Sequence, residues 1–237
     1  FGLLAQLTTK LGLDALLGLA IYVISVLLSL FKLFLIYLLI IYVITKKQHI
    51  EFIIAVREDL LLDFSTSSSA AVMPLSIKTA EEKLKVRPSI SQFVIPLGAT
   101  INMNGTALYQ GVAVIFLAQI FGIEIGIGGL TLVVLTSVGA SIGAPATPGV
   151  GIVVLSMVLG TVGVPAAGIA LIMGVDRILD MSRTAINVSG DLVAAKLMDK
   201  WVGAKASFDD EIIVQEMHES IRQETGEDVL TPEQLSE

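Results

Sequence analysis

The sequence predicts an all-α integral membrane protein made of inverted repeats, with two re-entrant helical hairpins and discontinuous transmembrane helices. Three observations predict it. Apolar residues form 54% of the chain against 16% charged, with a mean hydropathy of +0.83, a balance typical of membrane proteins. Two apolar blocks are interrupted by short polar tips, "DFSTSSSAAVMPLSI" and "SIGAPATPGVG". Finally, Asn102-Met-Asn-Gly-Thr106 and Asn187-Val-Ser-Gly-Asp191 share one pattern, each downstream of one of those tips.

Taken in order, apolar blocks fall at about 11–45, 50–64, 90–122, 127–160 and 164–198. From Ala15 to Thr45 the sequence is nearly continuous aliphatic and aromatic, broken by Lys32 alone; this exceeds the roughly 20 residues that cross a bilayer. The first and last blocks read as full spans. The second and fourth each read as two half-helices joined by a polar tip. Inside hydrocarbon such a break survives only where protein or a water-filled cavity satisfies the freed backbone groups. A kink or surface loop explains one break, but two matched breaks, each followed by a polar helix, point to a site between repeats at mid-membrane. The polar "TINMNGT" in the third block is read as an unwound stretch whose oxygens face an ion and a substrate.

Lysine and arginine set the orientation. Lys46 and Lys47 close the first span, Lys78, Lys83, Lys85 and Arg87 follow the first tip, and Lys196, Lys200 and Lys205 follow the last span. All are expected on the cytoplasmic side. The base-free turns "FGIEIGIGG" and "VGVPAAG" are expected outside, so the two hairpins enter from opposite faces.

The last block carries the most chemistry. Asp176, Asp180, Arg183, Thr184, Asn187 and Asp191 recur at spacings of three and four, which places the last five on one helical stripe. Ionisable groups inside a membrane helix are costly and are functional candidates by default. Asp180 and Arg183 also stand at the spacing of a purely structural i, i+3 pair, a reading that leaves Asn187 and Asp191 unexplained. Arg183 offers a fork suited to a carboxylate, and Asp180 an acceptor for an ammonium group. Asp191, the asparagines and freed carbonyls supply the hard oxygens that alkali cations take.

On the four motifs "STSSSAAVMP", "GATINMNGTALYQ", "SIGAPATPG" and "DRILDMSRTAINVSGD", in this order, the chain resembles the glutamate and aspartate transporters of the dicarboxylate/amino acid:cation symporter family. The resemblance covers nearly the whole apolar part. It implies a homotrimeric, multi-pass cell-membrane symporter in which a mobile transport domain slides against a scaffold like an elevator. Residues 1–10 would end a scaffold span, 11–204 would form the transport domain, and 205–237 an acidic cytoplasmic tail. Carried over by position, substrate contacts fall on Ser68, Ser69, Thr106, the segment from Thr147 to Gly151, Asp180, Arg183, Thr184 and Asn187. One sodium site would use carbonyls of Gly98, Asn102 and Asn187 with the Asp191 carboxylate. A second would use carbonyls near Thr100, Ser141, Ile142 and Ala144. The matched Asp180 and Arg183 imply an acidic amino acid; a C4-dicarboxylate symporter is the alternative, and a non-transporting remnant of the fold a third. No cofactor beyond coupling sodium is implied.

Two departures stand out. The family's usual Asn-Met-Asp-Gly-Thr has Asn104 at its centre here, which lowers the negative charge of a further cation site and implies an altered ion count. In the second tip, which the resemblance implies closes as the outer gate, Pro145 and Pro148 bracket Ala146 and Thr147 and are expected to stiffen it.

The remaining features exclude more than they identify. The formal charge of -7 is concentrated after Phe208, where ten acids face one base, Arg222. This is read as a solvated tail. His49 and His218 lie in polar surroundings, Lys32 is read as paired or snorkelling, and Trp201 as an interfacial anchor. With no cysteine, disulfide and thiol chemistry are excluded. There is no nucleotide-binding loop and no basic patch away from the span ends, so neither enzymatic catalysis nor nucleic acid has support. The chain starts at Phe1 inside an apolar segment, which is read as the C-terminal part of a longer protein.

Overall fold

The computed structural model describes the backbone of residues 2–45 and 49–225, and the side chains of 17–45 and 50–203. Lys46, Lys47 and the end of the acidic tail from residue 226 lie outside the described residues. So do the side chains of His49, Lys205 and His218. Among the described residues every regular element is helical: α1 (Gly2–Thr45), α2 (His49–Thr66), α3 (Ser69–Glu82), α4 (Pro88–Ile101), α5 (Asn104–Ile120), α6 (Ile127–Ser141), α7 (Val150–Thr161), a 3-10 turn (Ala166–Gly168) and α8 (Ile169–Thr225). The chain divides into two compact units, Phe1–Lys196 and Leu197–Glu237; the candidate site belongs to the first. α1 runs through residues 10 and 11 without a break.

Three interruptions matter, and local chemistry accounts for each. α2 ends at Ser67, which takes a left-handed φ of 55° while its N–H still donates to the Asp63 carbonyl at 2.8 Å. Ser68 then caps α3, its hydroxyl accepting from the Ala71 N–H at 3.3 Å, an exchange that typically stabilises a helix start by about 1 kcal/mol. α4 stops at Asn102 and Met103, whose ψ values of 56° and 47° leave the helical region. Between α6 and α7 the chain carries Pro145 and Pro148 and turns through Gly143 and Gly149, with φ of 79° and 80°; these glycines allow a conformation that side chains resist.

Packing then builds around the breaks. α2 lies on α3, α3 on α4, α6 on α7, and α5 on α1, α6 and α7. One apolar cluster joins Tyr22 and Val26 of α1 with Leu117 of α5, Leu155 and Leu159 of α7, and Ile172 and Leu179 of α8. A second joins Tyr37 and Ile41 of α1 with Val56 of α2, Ile95 of α4, and Val188 and Leu192 of α8. α8 threads both clusters, and its polar residues from Asp180 to Asn187 fall where one hands over to the other.

Among the described residues two stretches are long and apolar enough to cross a membrane, Leu17–Thr45 and Pro88–Ile120. On α1 Leu17, Ile21, Ile24, Leu28, Phe31, Leu35 and Leu39 are all exposed. A stripe of that size would be costly in water and is cost-free against hydrocarbon or another apolar surface.

Candidate functional site

The site is built on the inner stripe of α8. Asp180 and Arg183, one turn apart, form an ion pair, and both are nearly inaccessible. The second Asp180 oxygen, Oδ2, accepts from the Gly149 N–H at 3.0 Å, where α7 begins. The guanidinium carbon of Arg183 stands 4.8 Å from the ring centroid of Tyr109, a cation–π arrangement. Tyr109 in turn donates its hydroxyl to Asp176 Oδ1 at 2.7 Å. Nη1 of Arg183 is buried without a partner, so part of the fork remains available. Gly151 is required here for space, because a Cβ at that position would fall on the guanidinium.

One and two turns further along α8, the stripe meets the break between α4 and α5. The Asn187 amide bridges it: Oδ1 accepts from the Gly105 N–H at 2.8 Å and Nδ2 donates to Thr106 Oγ1 at 3.1 Å. Asp191 Oδ1 accepts from Asn102 Nδ2 at 2.9 Å. Because a carboxylate only accepts, this bond fixes the orientation of the Asn102 amide. Its Oδ1 then faces Asn104 Nδ2 at 2.5 Å, and the same Nδ2 reaches the Tyr37 hydroxyl at 3.0 Å. Gly98 packs its α-carbon against the Asp191 carboxylate, leaving no room for a side chain. The two copies of the repeated motif therefore touch each other. Only the first lies at a helix break; the second is continuous helix.

The polar tips close over this floor. Ser68 donates its hydroxyl to the Ala146 carbonyl at 3.0 Å, joining the two tips, and the Ala70 N–H approaches the same oxygen at 3.4 Å. Gly143 donates its N–H to the Thr100 carbonyl at 2.7 Å. The partly open cavity between them has a volume of about 20 Å³, room for a single water. Ser69, Thr106, Thr147, Gly151, Asp180, Arg183, Thr184 and Asn187 all border it. Ser68 does not; it acts in the tip-to-tip bond.

The positions expected to hold cations fall into two places. Asp191, Gly98 and Asn102 converge on one side of α8, with Asn187 one turn away on the same stripe. Thr100, Ser141, Ile142 and Ala144 lie around the start of the second tip, where the Thr100 carbonyl is occupied by Gly143 and the Ser141 carbonyl accepts from Ala144 at 3.2 Å. Among the described residues no three His, Cys, Asp or Glu side chains gather as for a transition metal or divalent ion.

Sequence reasoning missed Tyr109 and Tyr37, the two phenols that position Arg183 and Asn104. A signal exists for both. Tyr109 follows Thr106 by three residues on the buried face of α5, and Tyr37 lies on the buried line of α1 with Leu30 and Ile41.

Comparison with known proteins places the chain in a family. Residues 1–201 match the model of the sodium:dicarboxylate symporter family. The proton/sodium-glutamate symport protein of Bacillus subtilis is 46% identical over 153 residues, which is 65% of this chain and 35% of the relative. Excitatory amino acid transporter 3 of Mus musculus is 41% identical over 159 residues, 67% of this chain and 30% of the relative. Excitatory amino acid transporter 5 of Homo sapiens is 46% identical over 155 residues, 65% and 28% respectively. The chain thus spans about a third of the length of the curated relatives it matches. With most of the chain matched and the buried stripe of α8 meeting a broken helix, the protein belongs to the sodium:dicarboxylate symporter family.

Proposed function

We propose that this protein is the site-bearing part of a sodium-coupled symporter of acidic amino acids, aspartate or glutamate. The observation that carries this reading is the buried Asp180–Arg183 pair with the Gly149 N–H on its acid. The pair is neutral as it stands. An entering amino diacid exchanges partners with it: the side-chain carboxylate takes the Arg183 fork and the ammonium takes Asp180. The substrate's second carboxylate is then left to backbone N–H groups of the tips and the hydroxyls of Ser69, Thr106 and Thr147. With the Asp191 carboxylate this makes two net negative charges in a water-poor site, which one sodium ion at Asp191 and Gly98 and a second near the second tip offset over a short distance. Binding of ion and substrate is thereby coupled through charge.

The cavity is far smaller than an amino acid, so loading requires a tip to move. In this reading the segment from Gly143 to Gly149 is the gate. Lifting it breaks the Ser68–Ala146, Gly143–Thr100 and Gly149–Asp180 hydrogen bonds and frees the Thr100 carbonyl for the second sodium. The α2–α3 and α6–α7 pairs are then the two re-entrant hairpins of an inverted repeat. Residues 11–204 act as the transport domain of an elevator within a homotrimer, and the acidic tail after residue 205 faces the cytoplasm.

The test is uptake of labelled L-aspartate into proteoliposomes holding the full-length protein, with and without an inward sodium gradient and with unlabelled malate as competitor. Sodium-dependent uptake that malate leaves unchanged is expected. Uptake that needs no sodium refutes the sodium coupling, and uptake abolished by malate refutes the amino-acid reading.

A further inference from the structure

α2 contains a departure from its own pattern that the proposed site does not use. Its buried stripe runs Phe52, Ala55, Val56, Asp59, Asp63: three apolar residues and then, where the spacing calls for two more, two aspartates. Both are fully buried, and all four carboxylate oxygens lack a hydrogen-bond partner. The hydroxyl of Thr79, 1% exposed, faces Asp59 from α3 and is likewise without a partner.

Each neighbouring group is accounted for. Ser76 stands beside Thr79 near Asp59, but its hydroxyl is turned to the Val72 carbonyl at 3.4 Å. Lys83 is the nearest cation, and its ammonium sits on Glu58 at 2.6 Å. From α8 the charge acting on Asp63 is that of Asp191, another acid. α1 brings Tyr37 and Ile41 to the cluster it shares with α2, and the Tyr37 hydroxyl is engaged by Asn104.

Two ionised carboxylates a turn apart, buried with no cationic partner, only the hydroxyls of Thr79 and Ser76 near Asp59, and a third acid beyond, cost more than a fold can readily offset; such groups neutralise instead. Two carboxylates and a hydroxyl are short of the roughly six oxygens a hard cation takes, whereas one carboxyl proton needs a single acceptor, which the other aspartate or Thr79 provides.

We propose that Asp59 and Asp63 form a proton-binding pair that holds at least one proton while buried and exchanges it during the transport cycle. Binding of the proton stands on the pair's geometry alone; its exchange during transport rests on the symport reading above. Asparagine has the shape of a protonated aspartate, so Asp59→Asn and Asp63→Asn keep the packing while removing the titration.

Two measurements on the full-length protein separate these points. Infrared spectroscopy of the purified protein at neutral pH should show the C=O stretch of a protonated carboxyl, reduced in one or both single variants and lost from that component in D59N/D63N. No such band in the wild type, or a band unchanged in the double variant, overturns the pair as a proton site, and the wild-type spectrum decides even if a variant fails to fold. In proteoliposomes loaded with a pH-sensitive dye, sodium-driven aspartate uptake should carry protons in the wild type, and D59N/D63N should keep the uptake and lose the proton flux. Absent flux in the wild type, or equal flux in both, overturns the exchange. A wild type that takes up no aspartate refutes the symport reading instead, and the infrared result still stands.

Discussion

Replacing Asp180 by asparagine isolates the charge at the centre of the site. The amide keeps the side chain's shape and an acceptor for the Gly149 N–H, so what disappears is the anion paired with Arg183. That arginine is 4% exposed and already has one unpartnered nitrogen. Leaving a buried charge uncompensated costs about 3–5 kcal/mol, whereas removing both members of a buried pair is often close to neutral. Asp180→Asn and Arg183→Met should therefore each destabilise strongly, while the double variant loses far less than their sum. At roughly 2 °C per kcal/mol for a large chain, each single variant should melt about 6–10 °C below wild type. Thermal unfolding of the full-length protein in detergent, followed by tryptophan fluorescence, reads all four corners of the cycle. A plain C4-dicarboxylate should restore part of the loss in Asp180→Asn, because its carboxylate takes the vacated place on the fork. Additive effects, or an Asp180→Asn protein as stable as wild type, would refute the reasoning.

Three further outcomes follow from contacts already described. Asn104→Asp sets an acceptor against Asn102 Oδ1, a clash that a bound cation relieves; the variant should show a steeper sodium dependence of uptake, and an unchanged Hill slope and charge per substrate would contradict the altered ion count. Gly98→Ala pushes a methyl group into the Asp191 carboxylate, an overpacking that typically costs about 1–3 kcal/mol; apparent sodium affinity should fall by roughly 5- to 150-fold, read from sodium titrations of uptake at saturating aspartate. Ser68→Ala removes both the cap of α3 and the bond to Ala146, so the gate should open more often; since the chain has no cysteine, maleimide labelling of a Thr147→Cys background should be faster in Ser68→Ala and slowed by aspartate in both.

Much of this arrangement is legible before any coordinates. Helix breaks announce themselves through Ser67–Ser69, Asn102–Gly105 and Pro145–Gly149 because the local chemistry that ends a helix is written in those few residues. The stripe of α8 is legible for the same reason: a spacing of three and four is a property of one helix. What is not legible is which stripe meets which break. The Asn102–Asp191, Asn187–Gly105 and Ser68–Ala146 contacts join residues separated by 78 to 89 positions, and no local rule selects them. The aspartates of α2 illustrate a different loss. A hydropathy reading of residues 50–64 averages them away, whereas burial shows that they occupy core positions of the helix.

That Asp180 and Arg183 lie on the same turn of one helix also bears on how α8 is made. A lone arginine or aspartate at the centre of an inserting segment costs about 2.5–3.5 kcal/mol each. Were the partner on another helix, α8 would carry that cost until its neighbours arrived. At a separation of three residues the two charges meet as soon as the turn forms. Biogenesis thus receives a helix whose Asp180 and Arg183 already neutralise each other, and under the proposed function a substrate's own charges would later reopen a pair that synthesis had closed.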